Sequence, residues 1–159
     1  MWWTRDVLQP VQFEQVRRYV DNQFFMRFAT VSRRGRLHNA PCNFIRIDDR
    51  IYFDADEASI KIQNIKWNPN VCLVWNSGKP YFDSRGVIMQ GHATIVNDMQ
   101  LEAAVYEAIN EKSFAGLRPS YTQYREKQRY PRVIVEVSPL RTFRWHFERL
   151  TPLKNPAER

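Results

Sequence analysis

Phe25-Met26-Arg27-Phe28-Ala29-Thr30-Val31-Ser32, Arg33-Arg34-Gly35-Arg36, Leu37 through Ile47, Asp48-Asp49 and Ile51-Tyr52-Phe53 form the stretch that decides the fold. Its first segment, Phe25–Ser32, is rich in aromatic and β-branched residues, a composition that fits a pleated, half-buried surface. The Arg-Arg-Gly-Arg and Asp-Asp interruptions are turn chemistry, because glycine and aspartate tolerate the backbone conformations of tight turns. Residues 25–53 therefore read as a meander of three strands joined by short hairpins.

Working outward, Pro10 suits a first helical position, and Phe13, Val16 and Val20 recur at helical spacing. This predicts an amphipathic helix over 10–22. Downstream, Glu57–Trp67 carries Ala58, Ile62 and Ile65 at helical spacing and stops at Asn68-Pro69-Asn70, where proline bars continuation. Val71–Trp75 predicts a buried strand, 76–80 a loop, and Val87–Val96 a long alternating strand. Asp98 can cap a helix running through Ile109, with Leu101, Val105, Ala108 and Ile109 on one face. A short polar helix follows Pro119, and Arg132–Phe147 is a last strand with Val133, Val135 and Val137 alternating. Six strands in hairpin order, interrupted by helices, predict an α+β, mainly β chain: a closed or nearly closed antiparallel barrel with flanking helices.

The chain has 159 residues, 24 Lys+Arg against 17 Asp+Glu, and a formal charge of +7. That length predicts one domain over 1–150 with a loose tail over 151–159. The longest apolar run, Val71–Trp75, is far short of the ~20 residues of a bilayer helix. No basic region followed by an apolar core opens the chain, so a cytoplasmic protein is expected. Cys42 and Cys72 form no CxxC and, with only three histidines, assemble no zinc spacing; both read as small core residues. The positive charge favours an anionic partner without specifying it.

No GxSxG, HExxH or P-loop occurs, and glycines 35, 78, 86, 91 and 116 are isolated. Asp48-Asp49 reads as a turn and Asp56-Glu57 as acidic bias at a helix start rather than a catalytic carboxylate pair. Ser59-Ile60-Lys61 opens a helix after a strand. Free N–H groups, a positive dipole end, a hydroxyl and an ammonium there would complete an anion site; equally, Ser59 could cap the helix with Lys61 solvated. His38-Asn39-Ala40-Pro41-Cys42-Asn43-Phe44 places proline inside a strand pattern, which marks an edge whose backbone groups face outward. Such groups can read the polar rim of a planar ring, or simply belong to a twisted barrel edge.

Taken together, Phe28–Val31, Arg34-Gly35-Arg36, His38–Phe44, Ile51-Tyr52-Phe53, Ser59–Ile65, Asn68–Val71, Arg85–Gly91 and Ala93–Val96 resemble, in order and spacing, the pyridoxamine-5'-phosphate-oxidase-like FMN-binding split β-barrels. The likeness covers residues 24–97, with Val133–Trp145 matching the final strand more loosely. It implies a six-stranded split barrel and a homodimer with two flavin mononucleotides between subunits. By the same resemblance Ser59, Ile60 and Lys61 fall at the phosphate, with Asn64 one turn on. Asn39, Ala40, Pro41, Cys42 and Asn43 fall where backbone lines the isoalloxazine ring. Phe53, Asp54 and Ala55 flank ribityl and ring, Arg85 and Gln90 complete the site, and Trp145 covers the ring, with the partner subunit as one source.

Three departures stand out. Ile60 replaces an arginine of the family's Ser-Arg-Lys, Gly86 stands where a cofactor-contacting glutamine is usual, and Arg141–His146 lacks the arginine-rich substrate motif. Oxidation of pyridoxine phosphate is therefore not expected. The expected function is an FMN-dependent oxidoreductase passing hydride to or from a small substrate, with no catalytic side chain assigned. A deazaflavin coenzyme, a non-catalytic flavin-binding module and a nucleic-acid-binding barrel are the alternatives. The last would draw on Arg33, Arg34, Arg36, Arg125, Lys127, Arg129, Arg132, Arg141 and Arg144 beside Tyr121, Tyr124 and Tyr130. No membrane partner is expected, and nucleic acid is the least favoured.

Overall fold

The structure is a computed structural model that describes residues 8–78, 84–127 and 131–146. The element order is β1 (Gln9–Val11), a 3-10 turn (Phe13–Val16), α1 (Arg17–Asp21), β2 (Phe25–Val31), β3 (Leu37–Asn43), β4 (Ile45–Ile47) and β5 (Arg50–Asp56). Then follow α2 (Ile60–Trp67), β6 (Asn70–Ser77), β7 (Arg85–Val96), α3 (Met99–Phe114), α4 (Tyr121–Lys127) and β8 (Arg132–His146). The predicted tail over 151–159 lies outside the described residues. None of the described helices is long and apolar enough to cross a membrane.

All strands join one antiparallel sheet in the order β3-β2-β6-β7-β8-β5-β4, with β1 pairing β8 beside that path. β3 and β4 occupy opposite ends of this order, yet only Phe44 separates them in the chain. The sheet must therefore curl until its two edges meet at Phe44, whose side chain is wholly buried. Its ring meets Trp75 edge-on at 5.6 Å between centroids. The barrel is closed there by a covalent link and packing rather than by a hydrogen-bonded ladder, which is what makes it split.

Two expectations change. The six predicted strands become eight, because 37–47 breaks at Phe44 into β3 and β4 and because β1 was not foreseen. The helix expected over 10–22 is a strand, a 3-10 turn and the single helical turn or so of α1. Pro10 pairs with Phe143 of β8, and proline is tolerated on such an edge strand because its missing N–H breaks no ladder. The hairpins 25–47 and 45–53, the α2 boundary at Asn68 and the Asp98 start of α3 agree with the reading, while α3 extends past Ile109 to Phe114.

The core follows from alternation. Met26, Phe28 and Thr30 of β2 point inward, and Leu73 and Trp75 of β6 with Val87 and Met89 of β7 continue the filling. Phe28 and Phe53 pack ring to ring at 4.7 Å. β5 and β8 are buried on both faces, which explains the unalternating Ile51-Tyr52-Phe53 and Ile134-Val135. Ile51, Phe53 and Val135 enter the barrel, while Tyr52 and Ile134 meet Val105 and Ile109 of α3 outside it.

Candidate functional site

α2 begins where β5 ends, and Ser59 occupies the position just before its first turn, in extended conformation (φ −65°, ψ 151°). A serine there ordinarily caps the helix by accepting from a backbone N–H. Ser59 does not: its hydroxyl makes no cap bond and is buried without a partner. The local turn is held by other groups instead, Asp56 accepting from Ala58 N–H at 2.8 Å and the Ser59 N–H donating to Asp56 C=O at 3.0 Å. Of the two readings of Ser59, the helix cap is thus the one its side chain does not adopt.

Lys61, half-buried and two residues after Ser59, lies near Cys42 of β3. Burial pushes the Cys42 thiol up, the Lys61 ammonium pulls it down, and the Asp54 carboxylate adds a smaller upward push. Those charges act on one thiol only because β3, the start of α2 and β5 converge there. β3 is the sheet edge, with only β2 as neighbour, so alternate backbone groups of Asn39–Asn43 face away from any strand. Pro41, in register with Arg27, carries no N–H at all. An orphaned hydroxyl, a cation and an open backbone edge are thereby gathered in one place.

Other predicted residues serve the frame. Phe53 and Ala55 are core side chains, so only their backbone can face a ligand. Asn64 is buried and donates to Thr30 Oγ1 at 2.9 Å, tying α2 to β2. Asp54 holds Arg132 through two hydrogen bonds of 2.7 and 2.9 Å. Arg85 and Gln90 sit on β7 and Trp145 on β8, three and four strands from β3 in the sheet order. The Trp145 indole N–H donates to Ser84 Oγ at 3.3 Å, and its ring lies against Gly86.

Two clefts flank β3 that the motif pattern does not reveal. One, of about 520 Å³, lies over Phe24, Phe25, Arg27, Asn39, Pro41 and Asn76. The other, of about 420 Å³, lies between the β2–β3 hairpin and α2, where Arg33, Arg34 and Arg36 meet Leu37, His38 and Ile60. The Arg-Arg-Gly-Arg turn was the available signal, but a charge run in one dimension does not say which helix it faces. Of the remaining predicted basic clusters, Arg132 is paired with Asp54 and Arg125 with Glu102. Tyr121 and Tyr124 pack against Tyr106 with their hydroxyls covered, not as an exposed stacking platform. Arg129 and Tyr130 lie outside the described residues.

A family model described as pyridoxamine 5'-phosphate oxidase matches residues 13–146. No curated protein matches the chain. Among solved structures, a conserved hypothetical protein of Mycobacterium tuberculosis aligns with a TM-score of 0.75 at 23% identity, over 90% of this chain and 89% of that one. An FAD-binding protein of Mesorhizobium loti aligns with a TM-score of 0.68 at 12% identity, over 89% and 99%. A protein named F420 reductase gives 0.64 at 23% identity, over 84% and 98%. At these identities the likeness establishes the fold.

Proposed function

The chain belongs to the pyridoxamine 5'-phosphate oxidase family, and from that premise we propose that it binds a phosphorylated flavin or deazaflavin and serves as an oxidoreductase on a small substrate. The observation that carries this reading is the buried, unpartnered Ser59 hydroxyl at the start of α2, with Lys61 in the first turn of the same helix. Leaving a buried hydroxyl without a hydrogen bond costs about 1–3 kcal/mol. A phosphate oxygen accepting from it, with Lys61 as counter-ion and the free N–H groups of the first turn behind, removes that cost. Structural neighbours named as an FAD-binding protein and an F420 reductase are in keeping with such a ligand.

In this reading each part of the chain has one task. Ser59 and Lys61 hold the phosphate. The open edge of β3 from Asn39 to Asn43 supplies N–H and C=O groups to the polar rim of the ring, and Cys42, held protonated by burial, lines it without reacting. When bound, the cofactor supplies the hydride chemistry, so no acid or base in the protein is required. By family resemblance Arg85, Gln90 and Trp145 complete a site that lies between two subunits. The proposal therefore includes a homodimer with each site between subunits. FMN is the first candidate by family resemblance.

The test is a visible absorption spectrum of the purified protein, before and after FMN is added and the sample desalted. Retained yellow colour in the parent, lost in Ser59→Ala/Lys61→Ala with unchanged circular dichroism, is the expected result. Equal retention in the double variant overturns the site, and a parent that retains neither flavin nor deazaflavin overturns the function.

A further inference from the structure

The cleft between the β2–β3 hairpin and α2 is built unlike a solvated surface. Arg33, Arg34 and Arg36 stand around it, while Leu37 and Ile60, 84% and 60% exposed, form an apolar lining. The hairpin is held in shape: the Ser32 N–H donates to Arg36 C=O at 2.8 Å and Gly35, at φ +74°, donates back to Ser32 C=O at 2.9 Å. Only a residue tolerant of the left-handed region lets three arginines share so short a turn. The Arg33 guanidinium is stacked 4.7 Å over the Trp67 ring of α2, which ties the hairpin to the helix. Neither the Arg34 nor the Arg36 side chain has a hydrogen-bond or ion-pair partner among the described residues. His38 Nδ1, also on this cleft, is buried and unpartnered.

The cleft starts where the proposed phosphate site ends, because Ile60 lies between Ser59 and Lys61 in the chain. Three guanidiniums exceed the charge of one phosphate already matched by Lys61 and the start of α2. Apolar side chains between them suit a flat ring rather than an extended polar tail. We infer that this cleft takes the portion of the cofactor beyond its first phosphate, a second phosphate joined to a planar base, and that the chain prefers flavin adenine dinucleotide to FMN. Arg34 and Arg36 bind the second phosphate, and Leu37 and Ile60 pack on the adenine. The inference rests on the flavin reading above and deepens it by naming the cofactor class.

The experiment titrates the purified chain, stripped of any bound flavin, with riboflavin, FMN, FAD and a deazaflavin coenzyme, following flavin or deazaflavin fluorescence. FAD binding at least tenfold tighter than FMN is expected. Arg34→Ala/Arg36→Ala removes that preference and leaves FMN affinity within about twofold, and Leu37→Ser lowers FAD affinity alone. Leu37 is so exposed that its loss does not threaten folding. FMN bound as tightly as FAD, or equal losses for both in the arginine variant, overturns this inference while sparing the flavin reading. A deazaflavin coenzyme that outbinds FAD and is lost in the arginine variant reassigns the cleft to a polycarboxylate tail. Binding of no flavin at all overturns both.

Discussion

The indole of Trp145 occupies the space that a side chain at Gly86 would need. A Cβ built at 86 runs into Cζ2 and Cη2 of Trp145 on β8 and the carbonyl oxygen of Trp75 on β6. Gly86 and Trp145 are directly paired across β7 and β8. The glycine at 86 and the tryptophan at 145 are thus one feature: the glutamine usual in the family at this point would have to expel the ring. Gly86→Ala is expected to destabilise the fold by about 1–3 kcal/mol, the usual cost of overpacking. Gly86→Gln should do so further, with a changed near-ultraviolet circular dichroism as Trp145 is displaced. A urea midpoint within error of the parent would refute the coupling.

The meeting of β3 and α2 predicts a chemical signature that needs no cofactor. Burial raises the Cys42 thiol and Lys61 opposes that rise. In a Cys72→Ser background, which leaves one thiol, Cys42 should react slowly with iodoacetamide at neutral pH, since the thiolate is the nucleophile. Lys61→Met should slow it severalfold more by removing the opposing cation. A rate unchanged by Lys61→Met would separate the two residues and weaken the site.

Lys112 of α3 points into the seam where the barrel edges meet. Its ammonium lies 3.7 Å from the centre of the Phe44 ring, and burial lowers it from its ordinary 10.5 to about 8, with Asp21 opposing and Arg46 assisting. Between about pH 8 and 10.5 the unfolded chain holds this proton and the folded chain does not, so stability rises with pH across that window. Below pH 8 the burden of a half-buried ammonium is constant. Lys112→Met, which keeps the stem over Phe44, is expected to lack that rise. Denaturant unfolding of both proteins from pH 7 to 10.5 measures the difference, and parallel curves would contradict it.

Asp98 caps α3 through one carboxylate oxygen that accepts from Gln100 and Leu101 N–H groups at 2.9 and 3.1 Å. Asp98→Ala should cost about 1 kcal/mol and lower Tm by roughly 2–4 °C. Because α3 packs mainly on β4, β5 and β8 and not on Ser59 or Lys61, flavin retention should be unaffected. Loss of retention in this variant would tie α3 to the site.

Much of this was legible in one dimension because it depends on near neighbours. Alternation in β2 and β7, the Asp98 cap, the Asn68-Pro69 stop and the Pro41 edge are local relationships of two to ten residues. The 10–22 segment misled because its apolar spacing is helical, while Pro10 is held in a strand by β8, more than 130 residues away. Phe44 could not announce a break, since nothing in 37–47 says that its halves will pair with different partners.

By itself, then, the sequence determined the strand-rich class and most element boundaries, which follow from local backbone preference and period. Tertiary structure alone decided that Ser59 would forgo its cap, that Lys61 would come to lie near Cys42, that the hairpin arginines would face Ile60, and that Trp145 would require Gly86. Each of these is a contact between segments brought together by the curl of the sheet. Burial and electrostatics act through distance in space, which spacing along the chain does not encode.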